Sequence, residues 1–182
     1  MLLQLLANHP EAIVPIVRNT PAWVWGLLAG LMALGASQLR DRTAGLARVS
    51  LMPVGMTAFS VWGTYSALGA SHHLAGAVLA WFVAAAIAFA FIASGRAAAQ
   101  FDPATRMYRM PGSVQPLLLI AGIFLVKYAV GIELAMAPQR VQEGEFALVV
   151  ATLYGVFNGI FVGRAARLWR LALRPQGQGM AA

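Results

Sequence analysis

The chain has 182 residues, is 60% hydrophobic and only 10% charged, and has a mean hydropathy of +0.71; a soluble domain of this size needs a far more charged exterior. Its formal charge of +7 sits in short arginine-bearing segments beside apolar runs, the pattern that encodes membrane topology, which argues against a nucleic-acid partner. Zero cysteines exclude disulfides, thiolate metal sites and cysteine nucleophiles.

Apolar runs of about 20 residues recur along the chain, the length that crosses a bilayer's hydrocarbon core. They are continuous rather than alternating, so helices and not barrel strands satisfy their backbone groups in lipid. Residues 1–182 therefore read as one membrane domain, an all-α polytopic helical bundle.

Residues 1–18 carry no basic n-region and no small-residue cleavage site, and are not read as a removable signal peptide. Leu2, Leu3, Leu5, Leu6, Ile13, Val14 and Val17 flank a break at Pro10, which predicts a short interfacial helix. Five transmembrane spans follow, at about 21–39, 49–68, 74–94, 114–137 and 146–166. Trp23 and Trp25 open the first as an interfacial belt. Pro53 removes a backbone donor near the start of the second and predicts a kink there. His72 and His73 share a tight turn after it, too few ligands for a stable metal site. Between the third and fourth spans, "FDPATRMYRMPGS" places Met107–Met110 between two turns and predicts a brief strand in a small ordered flap. The fifth helix continues past the membrane, and residues 167–182 form a basic tail with Trp169 at headgroup level.

Orientation follows from the arginines. Arg40, Arg42 and Arg48 lie in the first loop, Arg96, Arg106 and Arg109 in the third, and Arg164, Arg167, Arg170 and Arg174 at the C-terminal end; only Arg18 and Arg140 fall on the other side. The positive-inside rule puts the N-terminus outside and the C-terminus inside. Helices in lipid associate by close packing, and the small residues Gly26 and Gly30, Ala80, Ala84 and Ala88, and Gly155, Gly159 and Gly163 supply faces for it. The last of these faces would serve either the bundle or a homo-oligomer.

The fourth span holds the chain's single lysine, Lys127, at its centre. A central lysine costs about 2.5–3.5 kcal/mol to insert. Lys127 lies about ten residues from either end, roughly 15 Å, which is too far for snorkelling. Glu133, the one carboxylate inside a span, sits six residues on, about 120° around the helix. The ammonium must then be solvated by other polar groups, lose its proton, or meet an anion from outside the chain. Matching depths supply Thr57, Ser60 and Thr64 on the second span and Tyr154 and Asn158 on the fifth, with Tyr128 beside the lysine and Glu133 toward the outer mouth. These residues predict a midplane polar site, because ionisable groups inside membranes mark such sites.

The stretches "TPAWVWGLLAGL", "RVSLMPVGMTAFSVWG", "YRMPGSVQPL" and "FLVKYAVGIELAMAP" resemble a family of small, uncharacterised bacterial inner-membrane proteins. The resemblance implies bacterial origin and inner-membrane residence, and brings no activity or site residues with it. The sequence shows no phosphate-binding loop, no paired acids, no nucleophile triad and no histidine at a span centre, so neither an enzyme nor a haem or other cofactor is expected. Two functions are expected instead. One is binding or translocation of a small anionic or amphiphilic ligand, or of protons, around Lys127. The other is a structural or assembly accessory role in the bilayer.

Overall fold

The computed structural model describes residues 13–173; of the expected interfacial helix at 1–18 and basic tail at 167–182, the parts before Ile13 and after Leu173 lie outside the described residues, while the remainder is helical. Six α-helices run through them: α1 (Ile13–Asn19), α2 (Ala22–Ala36), α3 (Leu46–Leu68), α4 (Leu74–Ser94), α5 (Gln115–Met136) and α6 (Gly144–Leu173). Turns of 3-10 helix extend α2 through Ser37–Leu39 and link α5 to α6 through Pro138–Gln142. Three short strands, β1 (Arg42–Gly45), β2 (Gln100–Asp102) and β3 (Met107–Met110), complete the fold.

Four helices are long and apolar enough to cross a bilayer: α2 with its extension to Leu39, α4, α5 and α6. In the most apolar stretches of α2, α4 and α5 only 11% is buried within the chain, against 56% in α6. Ile87, Phe91, Leu118 and Leu125 are each more than 60% exposed. Apolar faces of that extent need an apolar solvent. This is a membrane protein, and α6 is its axis.

The helix that falls short of the expected five is α3. Its 23 residues are long enough, but serines and threonines dilute its apolarity. Four of these hydroxyls bond back to the helix's own carbonyls, from Ser50 to Leu46, Thr57 to Pro53, Thr64 to Ser60 and Ser66 to Gly63, which removes most of their demand for water. The helix runs on through Pro53 as one element.

Close backbone approach holds α4 on α6. A Cβ at Gly155 would collide with the Trp81 carbonyl, at Gly159 with the Ala85 carbonyl, and at Gly163 with the Ile92 side chain. The glycine stripe thus meets α4 of the same chain, and an oligomer built on it would have to displace α4. Gly26 and Gly30, expected to serve a similar face, meet nothing within 4 Å; α2 instead approaches α5 at Gly35, against Leu117. An apolar core of Leu68, Ala77, Trp81, Val130, Ala147 and Val150 fills the end of the bundle near His72.

At the opposite end the strands form one antiparallel sheet in the order β1–β3–β2, with Tyr108 registered against Ala44 and Phe101. The expected strand at Met107–Met110 is β3. Its pairing with β1 from the first loop is an addition to the all-α expectation. Tyr108 is fully buried, and its hydroxyl donates to the Leu168 carbonyl at 3.0 Å, which pins the sheet to α6. Asp41 accepts from the Gly112 N–H at 2.8 Å and further ties the first loop to the third. Nine arginines, in the first loop, the third loop and the end of α6, consequently gather at this sheet end. There Arg167 and Arg170 donate to the Ile92 and Ala93 carbonyls at the end of α4, where cations suit the terminal carbonyls.

Candidate functional site

Packing divides the helices into two groups: α2 lies on α5, whereas α3 and α4 lie on α6. Lys127 leaves α5 and crosses the seam between them. Its Nζ stands 4.4 Å from the ring centroid of Phe59 on α3 and 4.4 Å from that of Tyr154 on α6. Gly63, one turn beyond Phe59, leaves the space the ammonium occupies; a Cβ there would collide with Nζ. Among the described residues no carboxylate lies within ion-pairing distance of this nitrogen. A cation over an aromatic face gains about 0.5–2 kcal/mol, more when desolvated, so two faces offset a large part of the insertion cost of about 2.5–3.5 kcal/mol.

Beside the ammonium is a cavity of about 20 Å³, lined by Lys127, Ser60, Tyr154 and Asn158 among the apolar groups of Met56 and Phe157. That volume holds about one water-sized guest. Ser60 is already engaged: its Oγ donates to the Tyr154 carbonyl at 3.3 Å and accepts from Trp81 Nε1 at 3.0 Å, so it joins α3, α4 and α6. Asn158 Oδ1 lies 2.9 Å from the Thr57 hydroxyl, whose single proton it shares with the Pro53 carbonyl. The Lys127 ammonium, the Asn158 amide nitrogen and the Tyr154 hydroxyl donate to no described residue. These few donors stand in a wall that is otherwise apolar.

Five of the eight residues singled out from the sequence meet here: Lys127, Ser60, Tyr154 and Asn158 on the cavity, and Thr57 through Asn158. The other three do not line it. Thr64 spends its hydroxyl on its own helix. Tyr128 turns away from the cavity: its hydroxyl bonds Thr20 Oγ1 in the turn before α2, its ring leans on Trp25 of α2 at 6.4 Å and stacks on Phe124 of its own helix at 5.9 Å. Glu133 lies 3.1 Å from Arg140 in the turn between α5 and α6. For the last two the reason is angular: adjacent positions on a helix point about 100° apart, and positions six apart about 120°. Phe59, Gly63 and Trp81 are functional neighbours that a search for polar residues passes over. The signal for them was an aromatic and a glycine four apart on α3 at the depth of Ser60.

A second, larger cavity of about 570 Å³ lies in the same seam toward the sheet end, and Phe161 lines both. Arg42 from β1, Arg48 from α3 and Arg164 from α6 face it. Burial, and then the neighbouring Arg48 charge, lower the pKa of the Arg42 guanidinium below its usual value. Arg164 donates to Gln115 Oε1 at 2.7 Å.

A family model matches residues 1–177. The chain belongs to the DUF6622 family. DUF6622 is a family of unknown function, so membership supplies kinship and leaves the chemistry to the site itself. No curated protein and no solved structure matches the chain.

In this DUF6622 chain, Gly63→Ala sets a methyl group where the ammonium sits. Overpacking of this kind costs about 1–3 kcal/mol, against a gain of up to about 1 kcal/mol from replacing a helical glycine. Thermal unfolding in detergent should show net destabilisation that shrinks in a Lys127→Met background. An alanine variant as stable as the wild type would mean that the ammonium is not seated between the rings.

Proposed function

We propose that the chain is a five-span protein of a bacterial inner membrane, N-terminus outside and C-terminus inside, that binds a small inorganic anion at the Lys127 cavity. The orientation is supported by the gathering of nine arginines at the sheet end, with Arg18 and Arg140 at the other. The fifth span is α3, whose hydroxyls are turned back on its own backbone.

One observation carries the function: a cation with no carboxylate mate among the described residues faces a mostly apolar cavity that holds one water-sized guest, with Asn158 and Tyr154 beside it. A monatomic anion answers the charge and fits the volume. An amphiphile does not fit there, which narrows the ligand class the sequence leaves open. Movement of the anion along the seam is the corresponding transport reading. A second reading is favoured by the fit of Lys127 into the space at Gly63: an accessory protein in which the lysine only fastens the two helix groups together.

Salt identity separates the two. A ligand that binds only the folded state stabilises it by about 2.7 kcal/mol at a hundred times its Kd. Chloride should raise the Tm above that in gluconate at equal ionic strength, and Lys127→Met should abolish the difference. Equal Tm values in the two salts would overturn anion binding and leave the accessory reading. Orientation has its own test in a chain without cysteines. In intact cells an impermeant thiol reagent should label Gln139→Cys and spare Thr105→Cys; the reverse pattern would invert the topology.

A further inference from the structure

The larger cavity has a composition of its own. Arg42, Arg48 and Arg164 line it together, and among the described residues no aspartate or glutamate does. Three like charges gathered in a partly buried chamber repel one another, and an anion between them relieves that repulsion. Guanidinium groups bind phosphate through paired N–H donors. Leu34, Leu51 and Leu119 line the chamber as well. Leu34 is 50% exposed and Leu51 72% exposed although both line the cavity, so the chamber opens sideways between α2 and α3 toward the surrounding lipid.

Depth matches the composition. Arg164 lies 20 residues beyond the start of α6 at Gly144, or about 30 Å along the helix, one hydrocarbon thickness away. The arginines therefore stand at headgroup level and the leucines toward the acyl chains. A volume of about 570 Å³ falls in the usual range for small-molecule sites, about 300–1,000 Å³; it takes a headgroup and the first methylenes of a chain, with the remainder left in the bilayer.

We propose that this chamber is a binding site for an anionic, phosphate-bearing amphiphile, with Arg42, Arg48 and Arg164 on the phosphate and Leu34, Leu51 and Leu119 along the acyl chain. The site is separate from the Lys127 cavity and stands whether or not an anion binds there.

The test uses the full chain, delipidated in a maltoside detergent and titrated with short-chain phosphatidylglycerol, short-chain phosphatidylcholine or inorganic phosphate, with Tm as the readout. Phosphatidylglycerol should give a saturable rise, and each of the other two should need at least ten times the concentration for the same effect. The double variant Arg42→Gln/Arg48→Gln should bind phosphatidylglycerol at least ten-fold more weakly. These two arginines are chosen because neither side chain makes a hydrogen bond or ion pair with a described residue, so their loss leaves the bundle intact. Lys127→Met should leave the phosphatidylglycerol response unchanged, which keeps this result distinct from the salt experiment. Equal responses to phosphatidylglycerol and inorganic phosphate would overturn the amphiphile assignment in favour of free phosphate. Equal responses to the two lipids, or an undiminished response in the double variant, would overturn the arginine site.

Discussion

Seating an ammonium in hydrocarbon costs about 2.5–3.5 kcal/mol even on the mildest scales, and here the cost is met by two ring faces rather than by a carboxylate. Phe59 and Tyr154 belong to different helices, and the lysine belongs to a third. The contact therefore fixes the relative rotation of α3, α5 and α6 at one level of the bundle. Gly63 has no side chain because the ammonium takes its place. Ser60, buried beside this contact, links α4 through Trp81 and α6 through the Tyr154 carbonyl.

Around that level the architecture follows from what lipid does not provide. Acyl chains are as apolar as leucine, so no hydrophobic drive brings helices together, and van der Waals contact must do so. The α4–α6 pair supplies it through three glycines spaced four apart. The α2–α5 pair joins at Gly35 and at Trp25 with Tyr128, and is otherwise largely open to lipid. Two groups of helices with a seam between them leave room for cavities. Both occur there, a small one beside Lys127 and a large one beneath the sheet. The sheet stays in place because Tyr108 bonds the α6 backbone and Asp41 bonds the third loop.

Much of this was legible in the sequence, for reasons that differ by element. The third span, expected at 74–94, is α4 to the residue, since a tight turn bounds it on one side and a glycine on the other. β3 was legible because Asp102-Pro and Pro111-Gly mark turns on either side of it. β1 was not: four residues with no alternation become a strand only when β3 lies beside them. For the site, depth along a helix could be counted residue by residue, and it brought Ser60, Tyr154 and Asn158 to Lys127. Rotation about each axis is set by packing, so Tyr128 and Glu133 faced elsewhere. Ring faces as partners for a cation leave little trace in a polarity pattern, and Phe59 was passed over for that reason.

The two cavities give the seam a direction, from the arginines beside the sheet to the ammonium between the two rings. The interior end of that arrangement rests on where one nitrogen sits. A double-mutant cycle between Lys127→Met and Phe59→Leu, read as unfolding free energies in a bilayer mimetic, tests it most directly. A coupling of about 0.5–2 kcal/mol is predicted for a desolvated cation on an aromatic face. Additive effects of the two substitutions would contradict the account, because they would mean the ammonium and the ring do not touch.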